Sequence, residues 1–267
     1  MENTKISDVY LNIIDNEIEN YSKRKTIQVV NTIPETQDIP INNPLHWLRI
    51  PEIICVFVDM IGSTKLSAVN HDVSTAGVYQ LFTGTAVRLF HEFESPYIDV
   101  RGDGVFALFN RNQKYRALAS TITFKTFVED YFTNTVKNKT GLNIGSHIGI
   151  DQKTVLVRKI GLKRKNGRTD RQNEVWAGKP VNMAAKLASL SKVGELLCSE
   201  RYFKSLESNL VLKSCGCPNN ESKDLWEKIS VIEDTRFDFD YAYKLKSIWC
   251  QNHGKDYCKR ILELDSK

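Results

Sequence analysis

Ile53-Ile54-Cys55-Val56-Phe57-Val58-Asp59-Met60-Ile61-Gly62-Ser63-Thr64 is the stretch on which the fold turns. Six apolar, largely β-branched residues run unbroken to Val58, which reads as a strand buried on both faces with Cys55 in the core. Asp59 ends that run with a carboxylate where an ordinary buried strand has least use for one. The turn Gly62-Ser63-Thr64 follows at once, and backbone N–H groups at such a helix start can face phosphate oxygens.

Downstream, residues 75–93 repeat apolar positions with a period near 3.6, among them Val78, Phe82, Leu89 and Phe93, which predicts a helix ended by Pro96. Residues 97–101 and 105–109 are two strands joined by Gly102-Asp103-Gly104, a tight hairpin. A helix over about 114–132, strands over 142–150 and 154–160, and a helix with Pro180 in its first turn complete a mixed α+β pattern. Upstream, Tyr10, Ile13, Ile14 and Ile18 mark an amphipathic helix capped by Ser7 or Asp8, expected to pack on the domain or on a partner. Pro34, Pro40, Pro44 and Pro51 make residues 31–51 read as a linker.

With 267 residues, 41% hydrophobic and 26% charged, the chain holds enough apolar material for one substantial core and an appendage. No apolar run approaches the ~20 residues of a membrane span, and the first residues lack an apolar leader, so a cytoplasmic protein is expected. The net charge of +5 is modest. Lys163, Arg164, Lys165, Arg168 and Arg171 bunch in one segment, a solvated loop or one beside a polyanionic ligand, and nothing indicates a duplex nucleic-acid binder. Six cysteines without an export signal predict no disulfides.

Asp59 and Asp103 carry the chemistry. Either alone reads as a turn former. If the hairpin tip lies beside the strand end, the two carboxylates can hold a pair of Mg²⁺ ions of the kind that stabilise attacking and leaving oxygens at phosphorus. No GxxxxGK[ST] run is present, which excludes the P-loop route to nucleotide binding.

Three motifs, Asp59-Met-Ile-Gly-Ser-Thr, Arg101-Gly-Asp-Gly and Trp176-Ala-Gly-Lys-Pro-Val-Asn-Met-Ala-Ala-Lys186, stand in the order and approximate spacing of class III adenylate and guanylate cyclases, which the chain therefore resembles. The resemblance implies a βαββαβ core, a ferredoxin-like sheet with helices on one face, over residues 51–206. An N-terminal helix and linker (1–50) and a sensor-like C-terminal segment (207–267) would flank it. By the same resemblance Asp59, Met60 and Asp103 would hold two Mg²⁺ or Mn²⁺ ions, Ile61, Gly62, Ser63 and Thr64 would meet the triphosphate, and Asn182 would orient the ribose. The family carries an arginine four residues after that asparagine. Here it is Lys186, which supplies the charge without the fork, and Lys179 is a second cation in reach. One residue more than the pattern lies between Trp176 and Gly178. Family members place metal ligands on one subunit and the asparagine and cation on the other, so a homodimer with composite sites is implied.

Within the family, Asn173-Glu-Val-Trp-Ala-Gly-Lys-Pro-Val-Asn and Arg-Gly-Asp-Gly are most similar to the pyrimidine cyclases of bacterial Pycsar anti-phage defence, whose cyclic UMP or cyclic CMP activates a separate effector protein. Tyr97, Asp99 and Glu174 fall at base-reading positions. Strand alternation puts Tyr97, Asp99 and Arg101 on one face and turns Ile98 and Val100 to the core. A carboxylate at Asp99 accepts from uracil N3–H or the cytosine amino group, which predicts UTP, then CTP, then GTP as substrate. Alternatively Asp99 only pairs with Arg101. A purine cyclase and a non-catalytic nucleotide sensor are the rival readings, and the joint presence of Asp59, Asp103 and Asn182 argues against the sensor. His147 reads as a core or interface histidine, and Trp226 and Trp249 as packing residues. Cys215, Cys217, Cys250 and His253 could hold a structural Zn²⁺, with Cys258 following, or could be idle thiols in a reducing cytosol.

Overall fold

The computed structural model describes residues 6–69, 72–162 and 171–266, so Lys163, Arg164, Lys165 and Arg168 lie outside the described residues. Its helices and strands in chain order are α1 (Asp8–Ser22), β1 (Thr26–Val29), β2 (His46–Ile61), α2 (Ser63–Val69), α3 (Asp72–Glu92), β3 (Tyr97–Arg101), β4 (Gly104–Phe109), α4 (Lys114–Phe127), α5 (Thr133–Thr140), β5 (Gly145–Leu162), β6 (Arg171–Gly178), α6 (Lys179–Leu190), β7 (Leu196–Ser199), α7 (Glu200–Ser205), α8 (Asn209–Leu212), β8 (Trp226–Ser230), β9 (Tyr241–Leu245) and α9 (Gly254–Leu262). They fall into two units, Met1–Ile50 with Leu156–Ala177 and Pro51–Val155 with Gly178–Lys267.

In the first unit β1 runs parallel to the start of β2, with Thr26 opposite His46 and Val29 opposite Arg49. The proline-rich segment is not the linker that its composition predicts. Ile33, Ile39, Leu48 and Ile50 are buried. Lys159 donates its backbone N–H to the Pro40 carbonyl at 2.9 Å, and the Arg158 guanidinium donates to the carbonyls of Pro44 and Ile41. Prolines forbid a helix, but they do not forbid burial once neighbouring donors satisfy the segment's carbonyls. β2 starts at His46 and runs through Pro51, where Glu52 takes φ +51° and the missing N–H falls at an irregular point of the strand. α1 has the expected length, yet none of its residues is buried, and Ser7 sits at its N-cap without a side-chain hydrogen bond.

In the second unit β2, α3, β3, β4, α4 and β5 follow one another as a βαββαβ unit, and the sheet order is β3-β4-β2-β5-β7-β9-β8. β2 and β4 are antiparallel, Ile54 opposite Phe109 and Val58 opposite Val105. The β3–β4 hairpin pairs Arg101 with Gly104 across a two-residue turn in which Gly102 takes φ +68°. Alternate residues of the central strands, Ile54, Val56 and Val58 with Val105, Ala107 and Phe109, enter one core with Phe82 and Phe90 of α3 and Phe124 of α4. Phe82 meets Phe124 edge-on, ring centroids 5.2 Å apart. On the other side of the sheet Leu187 of α6 packs with Leu197 of β7.

The helix expected over 114–132 runs on, through a π-turn at Val128–Phe132 into α5, and stops at Gly141 with φ +75°. The strands expected over 142–150 and 154–160 are the single strand β5. The boundary expected at residue 206 is crossed by the sheet: β9 pairs antiparallel with β7, and β8 with β9. Asp265, near the C-terminus, accepts the N–H groups of Tyr115 and Arg116 at 3.0 and 2.7 Å, capping α4 where Gln113 offers no side-chain cap. Without these strands β7 would be an open sheet edge, and covering such an edge is a general requirement of sheets. Trp226 and Trp249 pack in this tail and donate to the Val211 carbonyl and Thr123 Oγ1, each at 2.8 Å. Among the described residues no helix is long and apolar enough to cross a membrane.

Gly149 lets α6 lie directly on β5, since a Cβ there would stand 2.0 Å from the Ala184 carbonyl oxygen and 2.5 Å from the Ala188 nitrogen. Gly149→Ala is expected to cost about 3 kcal/mol because backbone, not a pliable side chain, must move. Gly77→Ala in α3, which meets nothing within 4 Å, should instead gain up to about 1 kcal/mol. Urea denaturation of the two variants beside the wild type checks the contrast.

Candidate active site

The end of β2 and the start of β4 bring Asp59 and Asp103 together. One step beyond the ladder pair Val58 with Val105, Asp59 comes level with Gly104, and a Cβ on Gly104 would lie 3.0 Å from Asp59 Oδ1. Glycine therefore leaves room for the carboxylate beside the hairpin turn that carries Asp103. Burial pushes the Asp59 carboxyl up, and the charge of Asp103 pushes it further, against the opposing charge of His147 and the Met60 N–H. A half-buried carboxylate pushed up by burial and by a second carboxylate beside it is a donor set that a hard divalent cation relieves, so the residues fit Mg²⁺ or Mn²⁺. The Met60 side chain is buried, and its backbone N–H is the part that meets the Asp59 carboxylate.

Ile61 ends β2, and Gly62, at φ +89°, turns the chain into α2, with the Leu66 N–H bonded to the Gly62 carbonyl at 2.9 Å. The N–H groups of Ser63, Thr64 and Lys65 have no acceptor within such a first turn. On β3, Asp99 is half-buried and pairs with the Arg101 guanidinium at 2.7 Å, and the Tyr97 ring lies 5.9 Å from that of Phe106. Val100 does not enter the core as alternation predicts; it is 45% exposed. β3 is the last strand of the sheet order, and Val100 lies near its end.

α6 opens with Pro180 in its first turn, and Asn182 and Lys186 stand one turn apart on the side away from buried Met183, Ala184 and Leu187. Asn182 is exposed. Both candidate cations are engaged by the loop between β8 and β9. Lys186 donates to the Arg236 carbonyl at 2.7 Å, and Lys179 pairs with Asp238 at 2.8 Å. Asp238 also meets Lys153 at 3.3 Å and Arg201 at 2.9 Å, while Arg201 clasps the buried Asp151. Burial raises the Asp238 carboxyl, but the hydrogen bonds from Lys179 and Arg201 outweigh it and hold the group well below the usual carboxylate range. Sequence reasoning missed Arg236, Asp238 and Arg201, because no motif surrounds them; the β8–β9 loop returns Arg236 and Asp238 to α6, and Arg201 of α7 joins them through Asp238.

His147 donates from Nδ1 to the Ser191 carbonyl at 2.7 Å, which suits the structural role expected of it, although its charge is felt by Asp59. Glu174 lies on β6 in the first unit, 4.0 Å from the Lys159 ammonium. Cys215, Cys217, Cys250 and His253 form a cluster of their own, with all ligating atoms within 4.8 Å of one another.

Residues 47–221 match the family model for the adenylate and guanylate cyclase catalytic domain. The chain belongs to this cyclase family. It is 35% identical over 237 residues to a uridylate cyclase of Propioniciclava tarda, spanning 87% of this cyclase and 76% of that one. A uridylate cyclase of Micromonospora echinofusca is 34% identical over 222 residues, 81% and 71% of the two chains. The crystal structure of the adenylyl cyclase CyaB from P. aeruginosa superimposes with a TM-score of 0.60 at 15% identity, covering 74% of this cyclase and 95% of the crystallised chain, which establishes the shared mixed α+β fold. A nucleoside triphosphate is accordingly the substrate class, and a divalent metal the expected requirement.

Proposed function

We propose that this cyclase converts UTP to 3′,5′-cyclic UMP and pyrophosphate, with CTP second and GTP third, as a cytosolic second-messenger enzyme of anti-phage defence acting on a separate effector. The observation that carries the reaction is the convergence of Asp59 and Asp103 beside the Gly62 turn. The pyrimidine rests on the relatives named uridylate cyclase and on Asp99, set in the strand that leads into the Asp103 turn.

In this reading Asp59, Asp103 and the backbone at Met60 hold two Mg²⁺ or Mn²⁺ ions, which when bound supply Lewis-acid stabilisation of the attacking and leaving oxygens. The turn from Ile61 to Thr64 offers N–H donors to the triphosphate. Asn182 orients the ribose so that its 3′ oxygen faces the α-phosphorus. Lys186, or Lys179 beside it, places positive charge against the transferring phosphate, after exchanging the Arg236 carbonyl or Asp238 for a phosphate oxygen. Tyr97 and Asp99 select the base. Two copies of the chain share each site, Asp59 and Asp103 from one and Asn182 with its cation from the other, and the exposed Val100 at the sheet edge is consistent with a covering partner.

Comparing product yields from UTP, CTP, GTP and ATP tests the substrate. The wild type is expected to favour UTP, and Asp99→Ala to lose about 10- to 100-fold in kcat/KM for UTP, the worth of one charge-assisted hydrogen bond. The Asp99–Arg101 pair favours a second reading, in which Asp99 only anchors β3. Under that reading Asp99→Ala keeps both the rate and the order of preference. A wild-type preference for a purine overturns the pyrimidine assignment outright.

A further inference from the structure

Cys215, Cys217, Cys250 and His253 come from two separate turns of the tail. The first turn is closed by Gly216 at φ +89° and by the Glu221 N–H bonded to the Gly216 carbonyl at 3.1 Å. It is fixed to its neighbours by the Ser214 N–H on the Lys223 carbonyl at 2.8 Å. The second turn precedes α9, with the Gly254 N–H on the Cys250 carbonyl at 2.7 Å. It is anchored to α4 by the Trp249 N–H on Thr126 Oγ1 at 3.1 Å and by Trp249 Nε1 on Thr123 Oγ1. Each turn therefore presents its pair of ligands from a held backbone.

The four ligating atoms meet. Cys217 Sγ lies 3.2 Å from His253 Nδ1, Cys250 Sγ lies 3.9 Å from the same nitrogen, and no pair among the four exceeds 4.8 Å. A tetrahedral zinc with Zn–S near 2.3 Å and Zn–N near 2.0 Å requires ligand separations of about 3.4 to 3.8 Å, so closing the cluster calls for side-chain adjustments of at most about 1 Å. The backbone N–H groups of Asn252 and His253 point at the Cys250 sulfur, the arrangement that stabilises a ligating thiolate. Cys258 lies outside the cluster and is half-buried.

We propose that these three cysteines and one histidine bind a structural Zn²⁺ that staples the turn after α8 to the start of α9. Three thiolates and an imidazole make a closed, four-coordinate set with no position left for substrate, which assigns a structural and not a catalytic role. The span between the two ligand pairs contains β8, β9 and the loop that engages Lys179 and Lys186. Zinc therefore fixes both ends of the segment that touches the cations of α6. The proposal is independent of the nucleotide the enzyme uses.

The test is metal content by mass spectrometry of the full chain, purified under reducing conditions from zinc-supplemented medium and dialysed against EDTA. One zinc per chain is expected, with at least about a tenfold drop in Cys217→Ser and in Cys250→Ser, and full content in Cys258→Ser and Asp59→Ala. Should the ligand variants fail to fold, wild-type protein suffices. A mercurial thiol reagent should release about one equivalent of zinc to a chromogenic chelator, and cobalt exchanged into the site should show the intense visible absorption of a tetrahedral thiolate complex. Wild-type protein without stoichiometric zinc, or zinc that persists in the Cys217→Ser, Cys250→Ser double variant, overturns the assignment.

Discussion

Asp103→Ala and Asp59→Ala are each expected to abolish cyclisation, a loss of about 10³-fold or more in kcat, while the protein stays folded. The magnitude follows from the several kcal/mol of transition-state stabilisation that two-metal sites provide, at about 1.4 kcal/mol per decade of rate. The intact fold follows from the electrostatics. Burial and the Asp103 charge raise the Asp59 carboxyl above its ordinary range, so ionised Asp59 opposes folding of the metal-free protein near neutrality. The sign is that of a raised acid: this group favours the fold when protonated, and the advantage fades as pH rises through its folded pKa. Removing either carboxylate should leave the metal-free urea midpoint at pH 7 unchanged or slightly higher. Activity measured with saturating Mn²⁺ beside that midpoint separates chemistry from stability. Full activity in either variant sinks the paired-carboxylate assignment, and a collapsed midpoint would mean that Asp59 or Asp103 belongs to the scaffold.

Mixing an Asp59→Ala chain with an Asn182→Ala chain should restore activity from near zero to about a quarter of the wild type. If sites are shared across a two-fold dimer, half of the reassociated dimers are mixed, and each mixed dimer has one site with both halves intact. Asn182 is exposed on α6, on the side of that helix away from its packed residues, so its loss should not disturb folding and the variant is a clean partner. The experiment needs exchange of subunits, verified by two different affinity tags. Mixed dimers without activity would place Asp59 and Asn182 in a site built within one chain.

Local physical chemistry was enough to read the core of this protein from its residues. The run Ile53 to Val58 had to be a strand buried on both faces, because six consecutive apolar residues leave no polar face to present. Gly102-Asp103-Gly104 had to be a tight turn, since only glycine enters φ +68° without strain. Those two readings put Asp59 and Asp103 at strand ends, and Pro180 placed Asn182 and Lys186 on one helix face. What the sequence could not determine are the pairings made far along the chain. The proline-rich segment that reads as a linker buries Ile33 and Ile39, and Arg158 and Lys159 bring donors to the carbonyls of Pro40, Ile41 and Pro44 from more than a hundred residues away. Val100 fits an alternating pattern, but sheet order alone decides that its strand is the edge. The tail carries no cyclase motif, yet it covers the open edge of β7, caps α4 through Asp265 and holds Lys179 and Lys186. Periodicity and turn chemistry act within a few residues and are legible in the sequence, whereas strand order and loop return are decided only when the whole chain closes on its core.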